Sequence, residues 1–340
     1  SKTISGGIIR EDAIIEAGAD LFLSLIFAGL IGAITWNMLT WLLGLPARSS
    51  HALFGGLIGA TLVGAGIGGI DFGMVLSKIV LPALIAPVTA GLIAFAATKI
   101  AYSITRRYDG KPDGRDGFRW GQIFTSSLVA LAHGTNDAQK TMGVMTLALM
   151  ASGHWTDTHA VPFWVKISAA SAIALGTYLG GWRIIRTLGK GLVDITPRQG
   201  MASDGATASV LMAASHLGFA LSTTHVATGS VLGGGLGRGT HVRWSTAGRM
   251  VTAWATTFPL AGLASAIMFW LGHSIGGVAG ALVVFAVLVA GAWWMFRKSQ
   301  ENRIDHSNVT AEWDRPADVL DQHAPDHAGS HESPTSDLKG

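Results

Sequence analysis

The chain has 340 residues, 49% of them hydrophobic and only 13% charged, about half the roughly 25% charge of a soluble domain. Fourteen of its 45 Asp, Glu, Lys and Arg residues fall in 297–340, so the remaining charge is too sparse to cover a soluble surface. The lack of cysteine excludes disulfides, thiolate catalysis, Fe–S clusters and Cys-ligated zinc, and a net charge of +3 with no basic run interleaved with aromatics argues against a nucleic-acid partner.

Apolar stretches that approach or reach the ~20 helical residues needed to span a bilayer occur at 19–43, 51–69, 77–104, 120–150, 161–182, 205–221, 224–237, 247–272 and 275–296. They are too long for barrel strands and show no alternation. The expected fold is therefore an all-α integral membrane protein, a polytopic helical bundle. The short, glycine-broken stretches 51–69 and 224–237 read as half-helices or re-entrant pieces. Basic loops at 105–119, 183–198 and 238–249, and Arg297 and Lys298, contrast with 151–161, which has no Lys or Arg. By the positive-inside rule the basic loops and tail are cytoplasmic and 151–161 external, as in a multi-pass plasma-membrane protein. The tail, 297–340, has little to bury and is expected to be disordered. Its His306, His323, His327 and His331 read as solvated polar residues rather than a metal site.

The chain also resembles itself. LGLPARSSHALFGGLIGA around His51 aligns without a gap on LGFALSTTHVATGSVLGG around His225, 174 positions later. The Ala-Gly-Leu triplets at Ala90 and Ala261 are 171 apart, and the segment at Thr3 echoes that at Thr187. The first copy is poor in Lys and Arg where the second is basic, so the two should cross the membrane in opposite senses. The domains expected are a first inverted repeat at 1–104, a cytoplasmic basic linker at 105–119, a second repeat at 120–296 and the tail. Inverted repeats with broken helices that hold substrate near the midplane are characteristic of secondary transporters.

In each copy, hydroxyls and a histidine precede a glycine-rich helix: Ser49, Ser50 and His51, then Ser222, Thr223, Thr224 and His225. The first N–H groups of a helix lack internal partners and attract anions, and hydroxyls add neutral donors. Two such ends brought together would cradle a tetrahedral oxyanion; ordinary helix capping is the simpler reading of one copy alone. His51 and His225 fit a relay or a packing role equally. The second polar feature, HGTNDAQKTMG from His133 to Gly143, lies at membrane depth. Ionisable residues there usually line a site. Asp137 can hold a cation or proton, or accept from a protonated oxyanion, and Lys140 can offset its charge one turn away.

These residues resemble the inorganic phosphate transporter family of Pit-type, low-affinity phosphate permeases. HGTNDAQKTMG looks like its second Asn-Asp signature, and SSH at 49–51 and STTH at 222–225 look like its paired hairpin motifs. The resemblance covers 1–296. It implies a symporter coupled to H⁺ or Na⁺, carrying phosphate or a metal–phosphate complex by alternating access. It further implies phosphate at Ser49, Ser50, Ser222, Thr223, Thr224 and Asn136, and the coupling cation at Asp137 and Asn136. No catalytic centre, resident metal or cofactor is expected. Partners would be phosphate, the cation and lipid, with a homo-oligomer left open. The family carries such a signature in each half, and the partner of Asp137 would fall ahead of Ser1, so the first copy is expected to be incomplete at its N-terminus. Transport of another oxyanion such as sulfate, and a non-transporting scaffold or sensor, remain the alternatives. A serine hydrolase built on Ser50 and His51 is disfavoured, because adjacent residues rarely reach nucleophile–base geometry.

Overall fold

The computed structural model describes residues 8–10, 18–46, 48–105, 113–157, 160–179, 181–189, 191–217, 219, 221–304 and 308. The Thr3 segment, residues 106–112 of the basic linker and the tail histidines lie outside these residues.

The chain folds into helices α1 (Ala19–Leu42), α2 (Ser49–Gly64), α3 (Phe72–Thr105), α4 (Asp113–Ala151), α5 (Phe163–Tyr178), α6 (Trp182–Gly189), α7 (Pro197–His216), α8 (Thr223–Arg238), α9 (Trp244–Ile275) and α10 (Gly277–Glu301). The described residues hold no strand, only an isolated bridge between Ile9 and Ile70. Asp71 starts α3 by accepting from the Met74 amide at 3.0 Å, and a π turn at Leu76–Val80 follows. Four described helices, α1, α3, α9 and α10, are long and apolar enough to cross a membrane by themselves. The protein is an all-α membrane protein.

Some boundaries differ from the hydropathy reading. Helix α7 begins at Pro197, because Gln199, Ser203 and Thr207 are buried against neighbouring helices, at most 2% exposed. A side chain that faces protein need not be apolar, so the hydropathy pattern misses this turn. Arg183 and Arg186 lie on the short helix α6 rather than in a loop, and residues from Asp113 onward already belong to α4.

Close contacts fix the depth and direction of the two short helices. Helix α2 packs on α1 and α9, and α8 packs on α7 and α3. A Cβ at Gly59 would overlap the Gly262 carbonyl, and one at Gly233 the Gly91 carbonyl. At both crossings two backbones therefore touch with no side chain between them, as small residues allow inside membranes. Gly55 meets Phe258 and Gly64 meets Phe269, so α2 runs alongside α9 and ends near its C-terminus. Gly229 meets Pro87 and Gly237 meets Phe95, so α8 runs alongside α3 toward its C-terminal end. At 16 residues each, these helices are about 24 Å long, short of a ~30 Å hydrocarbon core. Both start at mid-depth and run to opposite ends of the bundle.

One end gathers the basic side chains. Arg183 donates to the carbonyls of Leu42, Ser299 and Asn302, and Arg238 donates to that of Asp194. The other end holds the 152–157 turn and the start of α1. If the basic end is cytoplasmic, Ser152→Cys should react with an impermeant thiol reagent added outside intact cells, and His241→Cys should not. Both positions are exposed and the chain has no native cysteine, so the assay has no background. Labelling of His241→Cys alone would reverse the orientation.

Candidate functional site

The N-termini of α2 and α8 meet. The rings of His51 and His225 have centroids 6.0 Å apart. The first intrahelical bonds run from Ala52 N–H to the Arg48 carbonyl at 2.9 Å and from Val226 N–H to the Ser222 carbonyl at 3.2 Å. The amides of Ser49, Ser50 and His51, and those of Thr223, Thr224 and His225, are thus left without intrahelical acceptors. Neither N-cap residue, Arg48 or Ser222, makes a side-chain cap bond. The Ser222 hydroxyl is therefore not consumed by ordinary capping.

Helix α4 delivers the Asn-Asp segment to this junction. Lys140 is buried, 6% exposed, and its ammonium group is fully engaged. It donates to Ser50 Oγ at 2.7 Å, to the Leu221 carbonyl at 2.8 Å and to Asp137 Oδ1 at 3.0 Å. All three protons are used, and one side chain ties the start of α2 to the residue just before the α8 cap. Asn136 Nδ2 donates to the same Leu221 carbonyl at 3.0 Å. The second Asp137 oxygen lies 3.1 Å from His133 Nε2. The carboxylate is thus held between a buried cation and an imidazole. Because Ser50 accepts from Lys140, its own O–H proton stays available.

The structure thus gathers Ser50, His51, Asn136, Asp137 and His225 at one depth. Ser222 is buried at the α8 cap, Thr223 and Thr224 are half-buried in its first turn, and Ser49 is exposed at the start of α2. Gln139 is exposed. His225 Nδ1 lies 2.9 Å from the Ala83 carbonyl, and its ring packs on Trp254 with centroids 3.8 Å apart. Its Nε2 and His51 Nδ1 are buried without partners, which leaves each ring one atom able to serve a ligand.

Sequence reasoning misses three participants. The Leu221 carbonyl cannot be foreseen from residue type, and Trp254 belongs to no motif. Arg48 reads in the sequence only as one more charge outside the spans. It is 3% exposed, with Nε and Nη2 buried and unpartnered. Among the described residues, no group of three or more His, Asp or Glu is placed to hold a metal ion. What the site offers is helix N-termini, hydroxyls and buried cations beside a single carboxylate, an arrangement suited to a small oxyanion.

Comparison with known proteins agrees with this chemistry. Residues 1–265 match the model of the phosphate transporter family. The chain is 52% identical over 316 residues to a probable low-affinity inorganic phosphate transporter of Mycobacterium tuberculosis strain H37Rv, covering 92% of this chain and 74% of that protein. It is 36% identical to a protein of the same name from Bacillus subtilis strain 168, over 80% of each chain. A solved structure titled the sodium-dependent phosphate transporter superposes with a TM-score of 0.67 at 23% identity, covering 79% of this chain and 83% of that one, a likeness of fold. With most of its length matched by the family model and by these relatives, the chain belongs to the phosphate transporter family.

Proposed function

We propose that the protein is a secondary active transporter that carries inorganic phosphate across the plasma membrane together with H⁺ or Na⁺. The observation that carries this reading is the meeting of two helix N-termini at mid-depth, joined by the Lys140 ammonium beside Asp137. Phosphate would sit between α2 and α8, taking donors from Ser49, Ser50, Ser222, Thr223, Thr224 and Asn136 and from the first-turn amides. Asp137, with Asn136, would hold the coupling cation. As a carboxylate it can also accept the proton of HPO₄²⁻, which sulfate lacks. Support for a pair of oppositely oriented copies comes from the crossings. Gly59 on Gly262 and Gly233 on Gly91 are related by the same 174- and 171-residue offsets as the sequence motifs. Two such copies, with α2 and α8 as their broken helices, suit alternating access around a fixed midplane site. The basic end and the tail would face the cytoplasm.

The test is uptake of labelled phosphate by proteoliposomes under a Na⁺ gradient, a pH gradient or neither, with sulfate as competitor. Phosphate-selective uptake driven by one gradient is expected. Uptake insensitive to both gradients would remove coupling, and preference for sulfate would change the substrate. Within the same assay, Ser50→Ala and Thr224→Ala should each weaken phosphate binding by roughly 10- to 150-fold. That corresponds to about 1.5–3 kcal/mol for a hydrogen bond to a charged group. Unchanged affinity in both variants at normal expression would reduce these hydroxyls to structural roles.

A further inference from the structure

We propose that Arg48 is a phosphate-binding residue that supplies a fixed counter-charge to the substrate, a role that sets the first half of the site apart from the second. The inference rests on the phosphate-transport reading above.

Placing His51 on His225 sets Arg48 opposite Ser222, and the structure makes each the N-cap residue of its short helix. Where one half presents a neutral hydroxyl, the other presents a guanidinium. That guanidinium is buried, with Nε and Nη2 lacking any hydrogen-bond partner. No acidic side chain pairs with it among the described residues. The carboxylate of the site, Asp137, is already engaged by Lys140 and His133.

The visible compensation is the Trp254 ring, whose centroid lies 5.6 Å from Arg48 Cζ. A cation–π contact replaces only part of the hydration lost by a buried charge. Trp254 is itself fixed by donating from Nε1 to the Pro46 carbonyl at 3.2 Å, and its ring also packs on His225 of α8. Arg48 is the N-cap of the helix that begins with Ser49, Ser50 and His51. The Trp254 ring under its guanidinium also packs on His225, whose ring lies 6.0 Å from that of His51, so the guanidinium belongs to the junction between the helix starts. Among these side chains the fixed charges are Arg48 and Lys140 against Asp137, an excess of one positive charge. The positive ends of two helices add to it. Such a surplus at membrane depth calls for an anion. A planar guanidinium with two unused donor atoms matches the edge of a tetrahedral oxyanion. Ser222 at the equivalent position can offer a hydrogen bond but no charge.

It follows that binding draws part of its charge balance from the chain rather than from the co-bound cation. Arg48→Ser copies the second half into the first. It should raise the phosphate Kd by roughly 10- to 150-fold, the range of a lost charge-assisted hydrogen bond, and make binding more dependent on Na⁺ or H⁺. Arg48→Met keeps a long apolar stem against Trp254 but no charge, and should show the same loss. Arg48→Lys should recover part of the affinity, since it restores charge without the fork.

The experiment measures labelled-phosphate binding to the purified full chain at low and high Na⁺ and at two pH values, together with the stabilisation by phosphate of each variant's thermal unfolding. If the wild-type chain binds phosphate and both Arg48→Met and Arg48→Ser bind it within twofold of wild type, the role of Arg48 is overturned while the transport reading stands. If the wild-type chain neither binds phosphate nor is stabilised by it, the transport reading itself fails.

Discussion

Replacement of Asp137 by Asn should reduce phosphate uptake to background and lower the stability of the protein. The Lys140 ammonium is buried and spends its three protons on Ser50, Leu221 and Asp137, of which Asp137 alone carries negative charge. Removing one partner of a buried ion pair costs about 3–5 kcal/mol, because the other charge is left uncompensated. Here the stranded charge would be a cation facing two helix N-termini. It would either lose its proton or pull Ser50 and Leu221 out of register. The same substitution deletes the carboxylate assigned to the coupling cation. The two effects separate in the double variant Asp137→Asn/Lys140→Met, which removes both charges. It should regain thermal stability relative to the single variant yet remain inactive in gradient-driven uptake. Wild-type uptake by Asp137→Asn at matched expression would show that no cation or proton is carried at this carboxylate.

The second large effect is expected at the helix crossings. Gly59→Leu and Gly233→Leu should each prevent assembly of a monodisperse protein, and the alanine variants should already unfold at markedly lower temperature. Overpacking a filled interior by even small groups typically costs about 1–3 kcal/mol. In these positions the obstacle is not a movable side chain but a backbone carbonyl, Gly262 facing Gly59 and Gly91 facing Gly233. Relief therefore requires moving whole helices apart, which also withdraws the first turn of α2 or α8 from the junction. Gly291→Ala on α10 is the matched control, since a Cβ there meets nothing within 4 Å. Size-exclusion profiles and thermal unfolding of the five variants decide the matter. Wild-type behaviour of Gly59→Leu and Gly233→Leu would mean that neither crossing is as close as described.

Much of the architecture is legible because lipid imposes simple chemistry. Helices α1, α3, α9 and α10 each leave most of their apolar stretch outside the protein interior and announce themselves as apolar runs. The hydroxyl–histidine motifs are legible as well, since they occur twice at a constant offset. Where a helix is surrounded by protein, that rule lapses. The first turns of α7 carry Gln199 and Ser203 in the interior, and the sequence there reads as a loop. Lys140 illustrates a different gap. Its pairing with Asp137 follows from helical spacing, but its bonds to Ser50 and Leu221 join residues 90 and 81 positions away. One of those acceptors is a main-chain oxygen, invisible to any motif. Arg48 is hidden by its company. In a tally of loop charges a lone arginine is a topology marker, and only its burial as the N-cap of α2 separates it from the arginines at the basic end.

The pairing of the two short helices carries a mechanical consequence. Each is fastened to a long helix from the opposite stretch of the chain, α2 to α9 and α8 to α3. By packing, the chain therefore divides not into the front and back of the sequence but into two interleaved groups of helices. The two share a hydrophobic core where Val75, Ile79, Val144 and Leu147 meet Leu25, Phe54 and Phe269. One comprises α1, α2, α9 and α10, and the other α3, α4, α7 and α8. Lys140 rides on the second group, as does Leu221, whereas Ser50 rides on the first. A slide of one group along the other would keep the ammonium on Leu221 and part it from Ser50. That 2.7 Å bond is therefore a tie across the seam between the two groups of helices, whereas the bond to Leu221 lies within one of them.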